Sequence, residues 1–174
     1  MILSGTLYDA ADNVLAAGQA PICPFELSPR QFSVFDIQFH NSAGVPQPAR
    51  YEVRAMSGKA LESPLPELDV TLSDLAGKRS GDRVNITGTI RANRRYPGDF
   101  AGCAAFYDAG GKVVQQFTIF GFGELNDDTN QPLDLPLSIV PANARSVRLW
   151  IIGPGDEPLE SSYQAVMSGA IAIR

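Results

Sequence analysis

Apolar and polar residues alternate along this chain in short runs, separated by clusters of Gly, Pro, Asn and Asp. Phe35-Asp36-Ile37-Gln38-Phe39 alternates residue by residue, and Leu133, Leu135, Leu137 and Ile139 alternate across their spacers. A period of two sends successive side chains to opposite faces of a strand. No stretch keeps a helical period for more than two turns. The pattern therefore predicts an all-β chain. In the second half, strands are expected at 69–72, 83–91, 101–107, 112–119, 133–140 and 146–152, each bounded by turn formers.

The pattern also repeats. Leu7-Tyr8-Asp9-Ala10-Ala11-Asp12-Asn13-Val14-Leu15 has the same form as Phe106-Tyr107-Asp108-Ala109-Gly110-Gly111-Lys112-Val113-Val114. Each reads as a strand, a tight turn and a returning strand, with a short carboxylate placed to accept backbone N–H groups in the turn. The likeness continues in order. Phe35–Phe39 matches Leu133–Ile139, and Ala49-Arg50-Tyr51-Glu52-Val53-Arg54 matches Ala144-Arg145-Ser146-Val147-Arg148-Leu149. The linkers Leu61-Glu62-Ser63 and Leu159-Glu160-Ser161 follow. Short strands spaced by turns over a repeat of this size predict two tandem immunoglobulin-like antiparallel β-sandwich domains.

The residues resemble the FxLYD domain family of extracytoplasmic bacterial and archaeal proteins. Its motif is matched by Gly5-Thr6-Leu7-Tyr8-Asp9 and by Ala104-Ala105-Phe106-Tyr107-Asp108, with the leading Phe replaced by Gly5 and Ala104. The preceding apolar-x-Gly-x-apolar strand of the family is matched by Ile86-Thr87-Gly88-Thr89-Ile90, followed by Asn93. The resemblance covers most of residues 1–57 and 69–152. It implies an immunoglobulin-like sandwich on a secreted, periplasmic or surface-anchored protein and carries no catalytic residue with it.

The two copies are unequal. The second copy, 67–158, has strands ahead of its Tyr-Asp hairpin, whereas the first, 1–62, reaches its hairpin by Tyr8 and is expected to lack its opening strands. A separate strand, 163–174, follows the second copy, and Met167-Ser168-Gly169-Ala170-Ile171 lines up with Ile86–Ile90. A sandwich missing a strand exposes unpaired backbone and an apolar slot. Ala165, Met167, Gly169 and Ile171 are therefore the candidate strand-pairing residues, with three readings open. The segment completes the first sandwich, is donated to another molecule, or is simply the last strand of the second copy.

Composition narrows the chemistry. Of 174 residues, 44% are hydrophobic and 19% charged, with a net charge of −5, so no basic stripe exists to meet nucleic-acid phosphates. No stretch nears the roughly 18 apolar residues that cross a bilayer as a helix. The start lacks the basic and long apolar segments of a signal peptide, which fits either a cytoplasmic chain or a mature fragment. Cys23 and Cys103 either pair as a disulfide or remain two buried thiols, the simpler expectation. His40, the single histidine, sits at a strand end with no Gly-x-Ser-x-Gly elbow anywhere. Glu124, Asn126, Asp127 and Asp128 form the one acidic cluster, a candidate calcium site without EF-hand spacing. Trp150, Tyr51, Tyr163 and Phe120 form a sugar-stacking platform only if they share an exposed face.

These readings converge on a non-enzymatic extracytoplasmic structural or interaction module that needs no cofactor and meets protein, or itself, through edge strands. The alternative from another class is a carbohydrate- or calcium-binding sandwich.

Overall fold

In the computed structural model, the described residues are 1–23, 33–39, 47–57, 68–96, 99–123, 125, 129–154 and 163–174. They form eleven strands and no helix, in antiparallel sheets, and they fall into two compact units, Met1–Pro64 and Leu65–Arg174. The all-β expectation holds.

The first unit contains one three-stranded sheet. Strand β1 (Ile2–Tyr8) is central, flanked by β2 (Val14–Pro21) and β3 (Arg50–Ser57). Leu3, Ala20, Ile22, Cys23 and Val34 are buried. Segment 33–39 packs against this sheet without joining it, apart from one bridge between Val34 and Cys23. The side chain of Ile37 lies so close over Gly5 that a Cβ there would meet it at 2.8 Å, and the Gln38 carbonyl lies 2.7 Å from a Cβ placed on Gly18. Gly18 is thus required by the close approach of backbone, while at Gly5 a Cβ would displace the Ile37 side chain. The strand expected at Phe35–Phe39 is corrected to this non-ladder segment, because no described strand lies beside it to pair with.

The second unit has two sheets. One runs β10 (Tyr163–Met167), β9 (Ser146–Pro154), β6 (Phe100–Tyr107), β7 (Val113–Gly123), with β11 (Ile171–Ala172) also on β9. The other runs β4 (Val70–Ser80), β5 (Arg83–Ala92), β8 (Gln131–Leu137). Their apolar faces enclose Val84, Ile86, Ala104, Phe106, Leu133, Leu135, Val147, Leu149 and Ile171 in one cluster. A second cluster holds Leu68, Val70, Ile90, Tyr96, Phe100, Leu125 and Ile151. Phe106 meets Phe117 edge-on at 5.6 Å, and Tyr96 meets Phe100 the same way at 5.4 Å. Gly88 of the apolar-x-Gly-x-apolar motif is small because Leu75 crosses over it, 2.7 Å from where a Cβ would stand.

Three expectations shift by short distances. Strand β4 runs on to Ser80, past the expected end at residue 72, and takes Lys78 and Arg79 into its ladder; the turn is Gly81-Asp82, with Gly81 at φ +64° as a two-residue hairpin of this kind needs. Strand β8 stops at Leu137, before the expected residue 140, because Ile139 leaves the β region at φ +62°. Finally, the C-terminal segment belongs to the second unit. Met167 pairs with Trp150, Ala165 with Ile152 and Ile171 with Val147, all on β9. The break between β10 and β11 is fixed by Ser168, whose N–H donates to the Leu149 carbonyl at 2.8 Å while its Oγ accepts from the Leu149 N–H at 2.9 Å. The Arg174 N–H then donates to the Gly77 carbonyl at 3.0 Å, tying the end to β4. Among the described residues 163–174 thus pairs within the second unit, on β9 and β4, as in the reading that makes it the last strand of the second copy.

Candidate functional site: an exposed edge strand

The bonds from backbone N–H groups in the Tyr-Asp hairpin recur in both copies of the sequence repeat. In the first unit Asp9 Oδ1 accepts from the N–H groups of Ala11 (2.8 Å) and Asn13 (2.9 Å). In the second, Asp108 Oδ1 accepts from Gly110 and Lys112, both at 2.9 Å. The left-handed residue stands at the same place in each turn, Asp12 at φ +63° and Gly111 at φ +78°. Register also shifts at the same point, between Leu7 and Tyr8 and between Phe106 and Tyr107. The last strand returns alike, with Ala49 N–H donating to the Tyr8 carbonyl (2.9 Å) and Arg145 N–H to the Tyr107 carbonyl (2.7 Å). The pairing of Tyr8 with Arg50 and of Tyr107 with Ser146 makes β3 the counterpart of β9.

That correspondence moves the sequence alignment by one residue. Arg50 answers to Ser146, not to Arg145, so Tyr51, Val53 and Ala55 answer to Val147, Leu149 and Ile151. A one-residue slip exchanges the faces of a strand; with it corrected, apolar positions match apolar positions.

Strand β3 is where the units part. Val147 and Leu149 are 0% exposed, yet Val53 is 39% and Tyr51 74% exposed, and Met56 follows at 57%. Among the described residues β3 pairs only with β1, whereas β9 lies between β6 and β10. The opposite face of β3 carries Arg50, Glu52 and Arg54. Arg54 Nε donates to Glu52 Oε1 at 2.6 Å, and the Tyr8 hydroxyl donates to Glu52 Oε2 at 3.1 Å. The Arg54 guanidinium, with help from Tyr8, holds the Glu52 carboxyl below its ordinary range. Arg50 donates to Asp12 Oδ1 from Nε (3.1 Å) and Nη2 (2.8 Å) and lies 3.8 Å over the Tyr8 ring, so its guanidinium is held still more firmly in the charged form. The result is a strand with an apolar face, an ordered charged face and, among the described residues, one side without a paired strand.

The sequence-derived candidates fall elsewhere. Ala165 and Met167 lie in β10, Gly169 between strands, and Ile171 in the core of the second unit. Glu124, Asn126, Asp127 and Asp128 lie outside the described residues, as does His40; among the described residues no group of His, Cys, Asp or Glu is arranged to hold a metal ion. Trp150 is buried while Tyr51 is exposed, so these two do not share an exposed face as a sugar platform requires. Cys23 and Cys103 are both buried, and neither is a free thiol, which corrects the expectation of two buried thiols. No described helix is long and apolar enough to cross a membrane. Sequence reasoning had named Tyr51 only for a sugar-stacking platform and had given Glu52, Val53 and Arg54 no site role. The signal was present as their alternation, but the one-residue slip in the repeat had matched Tyr51 to Ser146 and Val53 to Arg148.

No family model and no curated protein matches the chain. Among solved structures it is similar to a DUF3823 family protein from Bacteroides ovatus, at 10% identity and a TM-score of 0.40, over 98% of this chain and 87% of that one.

Proposed function

We propose that the chain is a non-enzymatic extracytoplasmic interaction module: a tandem pair of immunoglobulin-like units of the FxLYD type that meets protein through β3. The observation that carries this reading is the exposure of Tyr51 and Val53 at positions whose counterparts, Val147 and Leu149, are fully enclosed. An open strand edge offers backbone donors and acceptors to an added strand, and the side chains beside it select which strand. The repeated Tyr-Asp hairpin supports the FxLYD assignment. The absence of a free thiol supports an oxidising compartment, since disulfides persist outside the cytosol and are rare within it.

The test is a displayed library of extended peptides screened against dilute chain. Enrichment of alternating apolar strands, lost in Val53→Lys and Tyr51→Lys while the fold is kept, supports the reading. A library that yields no such strand, or strands indifferent to both substitutions, overturns it.

A further inference from the structure

We propose that β3 pairs antiparallel with β3 of a second copy of this chain, about a two-fold axis at Val53. This rests on the reading of β3 as an interaction edge and adds what occupies it. The argument is the charge pattern. With Val53 opposite its own counterpart, Glu52 faces Arg54 of the second copy and Arg54 faces its Glu52, while Tyr51 faces Ala55. Residues directly opposite in such a pair have Cβ atoms about 4.5–5.5 Å apart, close enough for opposite charges to attract and like charges to repel. Because Arg54 already contacts Glu52 within one strand, the four side chains form a square of alternating sign.

Other registers lose this. Centring on Glu52 sets Glu52 against Glu52 and Arg50 against Arg54; centring on Arg54 sets two arginines together. A shift by one residue sets Val53 itself against Glu52 or Arg54, whereas the Val53 register sets charge against an apolar residue only at its ends, Arg50 against Met56. On the other face, the Val53 register sets Tyr51, Val53 and Ala55 of both copies side by side as one apolar stripe. An isologous contact of this kind closes at two copies and leaves no growing edge on β3.

The experiment is sedimentation velocity over a wide concentration range. Wild-type chain is expected to pass from monomer to dimer. Glu52→Arg and Arg54→Glu, each alone, bring like charges together at two places and weaken the dimer roughly ten- to thirty-fold. Mixing the two variants restores a heterodimer, and the double exchange Glu52→Arg/Arg54→Glu restores a homodimer. Since Glu52 also accepts from Tyr8, a second variant guards against misfolding: Val53→Cys forms a covalent dimer with a short thiol cross-linker and Tyr51→Cys does not. A wild-type chain monomeric at every concentration overturns the proposal, as does a dimer indifferent to both charge reversals, or single variants that the mixture fails to rescue. A monomeric chain that still captures displayed strands overturns self-pairing alone; one that captures none overturns the interaction reading as well.

Discussion

Strands β3 and β9 hold the same place beside the same Tyr-Asp hairpin, yet β9 is enclosed and β3 is not. The local sequence does not cause the difference, since both present a β-branched or aliphatic residue at the central position, Val53 and Leu149. The layer opposite causes it. Sheet β4-β5-β8 covers Leu149, and β10 covers the outer edge of β9. In the first unit segment 33–39 reaches over Gly5 and Gly18 but pairs with no second sheet among the described residues. Its likeness to β8 in sequence was real, but a strand needs a neighbour. What β5 gives β8, nothing described gives Phe35–Phe39.

The comparison breaks most visibly in the core. Phe106→Ala removes a ring that is fully buried and packed edge-on against Phe117, and is expected to cost about 3–5 kcal/mol. Leu7→Ala, at the same place in the first unit, removes a half-buried side chain and should cost well under half as much, roughly 1 kcal/mol. Denaturant titration of both variants, with Trp150 fluorescence reporting the second unit, measures the two losses. Equal losses would mean that the faces are equally covered and that β3 is not open.

Reduction comes next. Cys23 ends the first unit's sheet region and Cys103 lies in the centre of β6. Opening a disulfide typically costs about 2–4 kcal/mol. A unit of this size, with one described sheet, has little stability in reserve, so the first unit should lose the larger share of its own. Thiol counting in denaturant without reductant should find no free cysteine, and melting with reductant should lower the first unit's transition more than the second's. A free thiol in the native chain would remove both this expectation and the support it gives to an oxidising compartment.

How much of this was legible follows from which forces are local. The all-β class, the hairpins and the acceptor role of Asp9 and Asp108 are written in alternation and turn chemistry, and these are short-range. The strand ends at Leu137 and Ser80 were less legible. The first depends on a left-handed Ile139 that its residue type disfavours, and the second on a two-residue turn placing Lys78-Arg79 inside a ladder. The partner of 163–174 was not legible at all from its likeness to Ile86–Ile90. Its choice of β9 depends on Ser168 meeting Leu149 across the sheet, which is a long-range fact. The exposed edge was hidden by a single-residue slip, because two Ala-Arg pairs, at 49–50 and 144–145, invited an alignment that the ladders do not share.

A smaller effect sharpens the comparison at the turns. Gly111→Ala places a side chain at φ +78° with open space around it, so its cost is backbone strain alone, about 1–2 kcal/mol. Asp12→Gly, in the equivalent turn, relieves the same backbone strain but loses the contacts from Arg50. The two terms oppose, and the expected net change is smaller than that of Gly111→Ala. Thermal melts of the two variants check this. A marked loss in Asp12→Gly would show that the Arg50 contact to Asp12 matters more to the first unit than an exposed ion pair ordinarily does.

The smallest effects come from pH, and they pull the two units apart from opposite ends. Asp9 is held below its ordinary value of 3.8, first by the Asn13 side chain, and Glu52 below 4.5, first by Arg54. A depressed folded value means that each carboxylate's contribution is complete above those ordinary values and is lost as the pH falls through the depressed ones. Acid should therefore loosen the first unit's turn and the charged face of β3. The second unit places Arg148 where the first has Glu52, and the Tyr107 hydroxyl, shielded from solvent, has no hydrogen-bond partner among the described residues. Burial raises its pKa above 10.0. A raised folded value gives the reverse sign: the neutral phenol's contribution is complete below the ordinary value and is lost as the pH rises through the raised one. Amide shifts of Ala11 and Asn13 should move on acidification, and tyrosinate absorbance of Tyr107 should appear later than in a Tyr107-bearing peptide. Replacing Arg148 with Glu offers Tyr107 the acceptor that Tyr8 has. If that substitution gives Tyr107 a partner, the contrast between the units at this position lies in one residue across the ladder; if the hydroxyl stays unpartnered, it lies in the packing around it.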